Sequence, residues 1–334
     1  MANIVFSEAS GVNDSVFGKS QAPIRQFLEK RGEAFEAESI TKRIFRQDKS
    51  THFAERYTSM TAMEGFQAVG ENGAYPTDGF EEGYSKLLES VEWKDSFRIS
   101  KKILEDSQLM DLRQRPQAFI TAYYRGREKL GAAALGNAIQ GNASMKYCNA
   151  TIGLKTADNA NLFATSHPSK IKGGAQCNLW SDAFSDDALG MLETKMQTTK
   201  DDNGNVLDIV PDTIIIPNIH SLKKAVFAAI GSEQDPDSGD NAFNYQFGRW
   251  NVIVWSYLNQ YIASGTAPWL LMDSRYNKDY GTLIWQDRVA LEVKSSIDEN
   301  TDANVWRGRA RYTVGFHDWR GIAAGGVAAG NSLS

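Results

Sequence analysis

The longest regular pattern in the sequence is a run of apolar positions between Pro116 and Gly141. Phe119 and Tyr123 stand four residues apart, and the apolar positions that follow recur at roughly helical spacing. Pro116 suits a first helical turn, because its missing N–H would have no partner there, and Gly141 is a typical helix end. Arg115–Gly141 therefore predicts one amphipathic helix, about 35–40 Å long. Such a helix suits a flattened subunit as well as the core of an ordinary enzyme.

The segment before this helix has a different pattern. Val91–Ile99 alternates apolar and polar residues, as a half-buried strand does, and Ile99–Leu112 predicts a short helix capped by Ser100. From Met60 to Ser100, glycine and proline interrupt the apolar positions, which predicts a long two-stranded excursion with a polar, glycine-rich tip. A hairpin of this kind is marginally stable alone in water, so we expect another subunit to cover it.

Residues 1–55 have too few apolar positions to bury a core of their own. Ala22–Phe35 predicts one amphipathic helix, and the basic run Lys42–Arg46 follows it. Because one helix does not make a domain, we expect an arm that lies on neighbouring surfaces. The alternative is a plain N-terminal helix of a compact domain.

The second half of the chain contains the best-defined local unit. Pro211–Pro217 is apolar in the manner of a buried strand, and Asn218 is predicted to cap the helix His220–Ile230, which Gly231 ends. Further strands are predicted at Trp250–Leu258, Trp269–Met272, Gly281–Ile297 and Val305–Phe316. From Ala323 onward, small residues and glycines predict a loose tail.

Composition and charge restrict the class of protein. A hydrophobic fraction of 42% over 334 residues is enough for one large domain or two ordinary ones. A formal net charge of −5 gives no overall basic surface for gripping nucleic acid, although a protein can enclose nucleic acid without binding it tightly. Cys148 and Cys177 lack the spacing of a disulfide framework or a zinc site. No apolar run has the length of a membrane span and no signal peptide is evident, so we expect a cytosolic protein.

Catalytic and metal-binding motifs are absent from the sequence. His167 has no acidic or cysteine partner at catalytic or metal spacing, so His167–Pro168 is interpreted as a turn. The acidic turns Asp201–Asn205 and Asp235–Asp240 do not have the spacing of a calcium loop. We therefore expect no catalytic residue, no metal and no cofactor.

Several stretches carry a resemblance to a known family. They are Tyr57–Phe66, Tyr84–Ser100, Leu162–Ser169, Asp212–Gly231 and Trp306–Gly321. These stretches resemble the major capsid proteins of tailed bacteriophages with the Hong Kong 97 fold, as found in phages of Gram-positive bacteria. The order of the parts is also similar: an arm, a glycine-punctuated hairpin, a long helix, a strand–Asn–helix unit and paired terminal strands. The order of these loose packing patterns carries more weight than any one of them.

The resemblance implies an α+β fold of five parts, a Hong Kong 97-like capsid fold. The parts are an N-terminal arm at 1–55, an extended E-loop hairpin at 56–100, a peripheral domain with the long helix at 101–170 and 290–323, an axial domain at 171–289 and a flexible tail at 324–334. In shells of this family the E-loop lies over the neighbouring subunit, and axial domains meet at the centres of hexamers and pentamers.

The implied function is structural rather than enzymatic. Copies of the chain would assemble into an icosahedral or prolate head around double-stranded DNA, with no sequence-specific binding and no membrane. The arm is too short for the cleavable scaffolding domain of some relatives, so we expect a separate scaffolding protein, a portal and, as a further candidate, a decoration protein. The protein would be located in the virion after assembly in the cytoplasm of the host bacterium. A negative inner wall would leave packaged DNA mobile.

Particular residues are expected at contacts between subunits. They are Gly70, Gly73, Pro76, Arg307, Arg309 and Arg311. The glycines and the proline would form the hairpin tip, and the arginines would lie on one face of a terminal strand because strand side chains alternate with a period of two. The arginines would bind acidic groups of a neighbour or form a solvated strand face. Two other interpretations stay open, an encapsulin-like compartment shell of the same fold and a soluble enzyme with an unrecognised site.

Overall fold

This computed structural model contains two main sheets and several helices. The structure describes residues 4–8, 29–60, 68–71, 73–75, 77, 82–100, 109–171, 174–233, 243–301 and 303–333. The chain divides into two compact units: the first contains Met1–Glu55, Glu89–Gly131 and Trp285–Val314, and the second contains Arg56–Leu88, Ala132–Ile284 and Gly315–Ser334. The chain contains both helices and several sheets, in agreement with the predicted α+β class.

The elements follow one another in this order along the chain. The strands are β1 (Ile4–Glu8), β2 (Arg46–Lys49), β3 (Ala54–Met60), β4 (Glu82–Glu89), β5 (Val91–Ile99), β6 (Ser144–Tyr147), β7 (Ala150–Gly153), β8 (Thr213–Pro217), β9 (Asn251–Trp255), β10 (Trp269–Met272), β11 (Leu283–Asp298), β12 (Ala303–Phe316) and β13 (Ile322–Gly325). The helices are α1 (described over 29–38), α2 (Ile40–Ile44), α3 (Leu109–Ile139), α4 (Asp186–Gln197), α5 (His220–Ile230) and α6 (Ser274–Tyr280).

The sheet of the first unit joins strands that are far apart in sequence. Its order is β1-β11-β12-β5, and β2 also pairs with β11. β1 runs parallel to β11, whereas β12 and β5 are antiparallel, from the pair Asn304–Ile99 to the pair Tyr312–Val91. The strands predicted at Val91–Ile99 and Val305–Phe316 are therefore confirmed.

The expected place of Val91–Ile99 in the two-stranded excursion is wrong. The hairpin consists of β3 and β4, which form their own two-stranded sheet, and β5 pairs with β12 instead. Aromatic packing explains this choice, because Trp93 stacks on Tyr312 at 5.4 Å and Phe97 stacks on Trp306 at 6.0 Å between ring centroids.

The N-terminal segment also packs more fully than expected. Ile44 and Phe45 lie in the middle of the basic run and are buried, with 0% and 2% of their surface exposed. The Phe45 ring meets the edge of Trp285 at 6.3 Å. These two apolar residues therefore pack into the core of the first unit rather than into a core of the segment's own, and the expected arm stays a prediction. The start of the predicted helix, up to residue 28, lies outside the described residues, and α1 continues it.

The long helix is confirmed, but its start is earlier than predicted. α3 spans Leu109–Ile139, so Pro116 lies inside the helix rather than in its first turn. The short separate helix predicted at Ile99–Leu112 is wrong at both of its described ends, because Ile99 belongs to β5 and residues 109–112 belong to α3. Its middle, 101–108, lies outside the described residues.

The end of α3 follows the prediction closely. Gly141 has a positive φ of 76° and its N–H donates to the carbonyl of Ala138. The N–H of Asn142 donates to the carbonyl of Asn137. These two bonds form a Schellman motif, in which the left-handed residue is usually glycine.

The second unit is built on a sheet of order β13-β10-β8-β9. Every residue of β8 is buried, as predicted for this strand, and α5 ends at Gly231. The predicted cap of α5 is wrong: the N-cap is Ile219, which makes no side-chain cap bond. Asn218 does not cap the helix because it is bound elsewhere: its backbone N–H donates to Asn259 Oδ1 at 2.7 Å and its side chain donates to Ser256.

The predicted loose tail is wrong. Ala323, Ala324 and Leu333 are buried, and β13 pairs with β10. The small residues that suggested flexibility permit close approach instead: a Cβ on Gly330 would overlap the backbone of Trp180. Residues of this segment therefore add a strand and a packed turn to the second unit.

Candidate functional site

One face of the sheet in the first unit carries a concentration of charged side chains, which we call the charged face. Its members are Glu92, Lys94, Ser96, Glu292, Lys294, Arg307, Arg309 and Arg311. The antiparallel register places Arg307 opposite Ser96 and Arg309 opposite Lys94. The predicted alignment of the three arginines on one strand face is confirmed by the burial pattern, in which Arg307, Arg309 and Arg311 alternate with buried residues.

The three arginines differ in what they contact. Arg307 is exposed and donates to the hydroxyl of Ser296 at 3.0 Å. Arg309 is bound within the chain, since its Nε donates to Glu92 and its terminal nitrogen lies 3.4 Å from Glu292. The Nε of Arg311 is buried and has no hydrogen-bond partner among the described residues. The three arginines are therefore not equally free to contact another chain, and Arg307 is the most accessible of them.

Glu92 shows how strongly the charges of this face interact. Hydrogen bonds from Lys94 and then from Arg309 lower the pKa of Glu92 to about 2. Lys94 lies 2.9 Å from the second carboxylate oxygen of Glu92. Glu92 is therefore ionised throughout the physiological pH range, and it fixes the orientation of both cations.

An open depression of about 580 Å³ lies on this face. Four cations line it, Lys94, Lys294, Arg307 and Arg309, against two anions, Asp95 and Glu292. Charged side chains and the hydroxyl of Ser96 make it a polar contact surface with a small excess of positive charge. Carboxylates of another chain are suitable partners.

On the other side of the first unit, a buried guanidinium joins α3 to the sheet. Arg127 donates two hydrogen bonds to the two carboxylate oxygens of Asp287, both at 2.9 Å. Its guanidinium carbon also lies 4.7 Å from the ring of Trp285, 4.9 Å from Tyr312 and 5.7 Å from Tyr123. In the sequence this residue looked like an interruption of the apolar surface. Only the tertiary arrangement of three rings and one carboxylate shows its role.

The predicted hairpin tip is partly described. The N–H of Gly73 donates to the carbonyl of Gly70 at 2.8 Å, and a Cβ on Gly73 would lie only 2.8 Å from the Cβ of Val69. The turn therefore requires glycine at this position. Tyr75 is 95% exposed, and Pro76 lies outside the described residues.

A lysine of the second unit holds the base of this hairpin. The ammonium of Lys170 donates to the carbonyls of Glu82 and Gly83, the latter at 3.0 Å. It also lies 5.9 Å from the ring of Tyr84. Three contacts with the start of β4 fix the position from which the hairpin leaves the second unit.

His167 lies near this base and has partners that the sequence did not reveal. Its Nδ1 lies 2.7 Å from Asp158, its Nε2 lies 3.1 Å from Asn178, and its ring stacks on Trp319 at 4.2 Å. The interpretation as a turn is wrong, because His167 pairs with Gln176 in a short antiparallel bridge. The acidic partner was missed because it comes from a separate loop nine residues earlier.

This histidine and its carboxylate are structural. Burial alone would raise the pKa of Asp158, but hydrogen bonds from His167 and Thr156 lower it below the ordinary value. The two side chains are 0% and 4% exposed. The space beside Asp158 measures about 20 Å³, room for about one water molecule, and it suits a structural role for the pair.

Neither a metal-binding cluster nor a membrane-spanning helix is found among the described residues. In the described part of the chain, no three His, Cys, Asp or Glu side chains lie together in a way that would hold a metal ion. Cys148 is exposed and Cys177 is partly buried, and neither forms a disulfide. Among the described helices, none has the length and apolarity that crossing a bilayer requires.

Comparison with known proteins shows to which family the chain belongs. A family model described as phage capsid protein matches residues 84–325. The chain belongs to the phage capsid protein family. The predicted function of this capsid protein, a shell subunit, is thereby confirmed, and the encapsulin-like alternative is not favoured. No curated protein matches the chain by sequence.

Solved capsid structures show the same fold. The capsid of cyanophage P-SCSP1u matches with a TM-score of 0.56 at 9% identity, over 88% of each chain. A structure from Mycobacterium phage Patience matches with a TM-score of 0.52 at 11% identity, over 100% of this chain and 95% of that one. The mature capsid of bacteriophage PhiM1 matches with a TM-score of 0.51 at 8% identity, over 86% of each chain. The predicted Hong Kong 97-like fold of the capsid protein is confirmed.

Proposed function

We propose that this capsid protein assembles into hexamers and pentamers that form the head of a tailed phage around double-stranded DNA. The family match over residues 84–325 is the observation that carries the proposal. The net charge of −5 supports enclosure of DNA without tight binding, because clustered cations are needed to grip phosphates. The role is mechanical rather than enzymatic.

The proposed partners follow from the same resemblance. Subunits assemble in the cytoplasm of the host with a separate scaffolding protein and a portal, and a decoration protein is a further candidate. The proposed division of the chain is an arm, an E-loop, a peripheral domain and an axial domain, with the boundaries given above except that β5 is left out of the E-loop. The β3–β4 hairpin is the E-loop in this proposal, and it lies on a neighbouring subunit.

Charge supports a specific landing place for that hairpin. The segment 60–82 contains Glu64, Glu71, Asp78, Glu81 and Glu82 and no lysine or arginine. The charged face of a neighbour offers an excess of cations around its depression. We therefore place the acidic hairpin of one subunit against this depression of the next, with Arg307 as the main contact: it is exposed, it donates to the neutral hydroxyl of Ser296, and Asp298 adds only a weaker charge interaction.

The test replaces Arg307 with glutamate. Arg309→Glu is less informative, because it would put a third carboxylate beside Glu92 and Glu292 and destabilise the monomer itself. Arg125→Glu is the matched control, since Arg125 is also exposed and lies on α3 of the same unit. Each variant is co-expressed with the neighbouring phage genes and studied by negative-stain electron microscopy and sedimentation velocity.

The wild type and Arg125→Glu should form shells, whereas Arg307→Glu should remain in small oligomers with an unchanged melting temperature. Normal shells from Arg307→Glu would remove the charged face from the contact. A wild-type chain that stays monomeric under these conditions would overturn the proposed shell itself.

A further inference from the structure

Residues 243–247 of the second unit have an inverted pattern of burial. Phe243, Tyr245 and Phe247 are 76%, 54% and 39% exposed. Asn244 and Gln246 between them are 3% and 0% exposed. Apolar side chains normally occupy the buried positions of an alternating segment and polar ones the exposed positions. Here the aromatic side chains face outward, and we call Phe243, Tyr245 and Phe247 the aromatic patch.

Hydrogen bonds to the buried amides hold the segment in this orientation. The side chain of Asn244 donates to the carbonyls of Ala229 and Ser232 at the end of α5. Its oxygen accepts the backbone N–H of Gln246 at 2.9 Å, and the oxygen of Gln246 accepts the indole N–H of Trp250 at 2.7 Å. A segment fixed by its polar residues cannot turn its aromatic residues inward.

A salt bridge strengthens the same arrangement. Arg249 pairs with Glu193 of α4, a carboxylate that is 7% exposed, and the amide of Gln246 lies 3.4 Å from the same group. The guanidinium of Arg249 lies 6.0 Å from the ring of Tyr245. The patch is therefore held in place before any partner binds, which reduces the entropy lost on association.

The size of the patch indicates the kind of contact. A phenylalanine or tyrosine side chain presents about 200 Å², so the exposed fractions amount to about 300 Å² of aromatic surface. One side of a stable protein interface buries about 800 Å². The patch supplies more than a third of that, the share that a central cluster of aromatic residues takes in an interface.

We propose that the aromatic patch is a contact between subunits, and that it is covered by a second copy of this chain. This inference rests on the proposed function, because each copy in a shell is surrounded by others. It goes further by assigning a role to Phe243, Tyr245 and Phe247, and it gives a reason for the buried amides: they stabilise an exposed aromatic surface that the monomer does not need.

The test identifies the neighbour directly. Phe243→p-benzoylphenylalanine keeps an aromatic side chain at an exposed position, and it is introduced into the full chain. The matched control carries the same photo-reactive residue at Val206, which is 58% exposed in the same unit. Assembled particles are isolated, irradiated and separated by mass on a denaturing gel, and the joined peptides are identified by mass spectrometry.

We expect the Phe243 variant to join two copies of the 37.0 kDa chain, at least tenfold more efficiently than the control. A second variant, Phe243→Asp, should weaken assembly by at least about thirtyfold, the effect of losing a central interface residue, while Val206→Asp should not. Tryptophan fluorescence checks that both variants are folded.

Three outcomes would overturn the inference. No cross-linking in intact particles, or cross-linking only to a different protein, would show that no second copy covers the patch. Equal cross-linking at both positions would show that the patch is no closer to a second copy than ordinary exposed surface. In all three cases the shell itself would stand. If the wild type forms no particles at all, the proposed function fails, and the inference fails with it.

Discussion

Replacing Arg127 with methionine should destabilise the first unit strongly. Methionine has a similar length and is apolar, so it fills most of the space but leaves the carboxylate of Asp287 without its two hydrogen bonds. Three aromatic rings lose their cation at the same time. Burial alone would lower the pKa of Arg127, but Tyr123 and Asp287 raise it above its ordinary value, so the guanidinium is always charged.

The structure sets the size of the effect. Removing one partner of a buried ion pair costs about 3–5 kcal/mol. Asp287 is 33% exposed, so water partly compensates it and the lower end applies. The lost cation–π contacts add about 1 kcal/mol, which brings the expected loss to about 4 kcal/mol. For a unit of this size, that lowers the melting temperature by about 15 °C.

Urea unfolding and calorimetry of the unassembled chain measure this loss. Arg125→Met is the control, because Arg125 is exposed on the same helix. Arg127→Lys should recover part of the stability, since it keeps the charge but not the two-pronged contact. If Arg127→Met and Arg125→Met lower the free energy of unfolding equally, the guanidinium does not hold α3 to the sheet and the reasoning is wrong.

Two further predictions concern other parts of the fold. The lowered pKa of Asp158 stabilises the fold above the ordinary carboxyl pKa of about 3.9, and this stability is lost as the pH falls through the lowered value. Asp158→Asn should therefore lower the melting temperature at pH 7 and make the melting temperature depend less on pH in acid. Thermal scans at pH 7 and in acid will measure both changes. Gly308→Ala would press a methyl group into the ring of Phe119 and should lower the free energy of unfolding by about 1–3 kcal/mol. Gly126→Ala lies in open space on α3 and should be neutral or stabilising by up to about 1 kcal/mol. Chemical unfolding of both variants measures the difference.

Local periodicity was sufficient to predict most of the elements. β8, β10, β12 and α5 follow from apolar runs or alternation, because each pattern reflects one face or one buried segment. The alignment of the arginines on β12 follows from the same rule. Their partners did not follow, since Glu92 and Glu292 come from two other strands and depend on the pairing register.

The failures have a common cause in contacts between distant residues. Gly330 lies against the backbone of Trp180, so a glycine-rich end that looked loose is packed. Asn218 is bound by Asn259 rather than by the helix that follows it. His167 finds its carboxylate in a separate loop. In each case the residue type was compatible with the local prediction, and a partner far along the chain decided otherwise.

The pairing of β5 with β12 also determines when a subunit becomes complete during its synthesis. Ile99 pairs with Asn304, and at about 5–20 residues per second the ribosome makes the second strand about 10–40 s after the first. During that interval Trp93 and Phe97 lack Tyr312 and Trp306, the β12 rings on which they stack, and a chaperone is the natural protection for them. Because the face that carries Arg307 does not exist until β12 has been translated, a chain without β12 cannot offer the proposed contact, and translation itself delays assembly until this strand has been made.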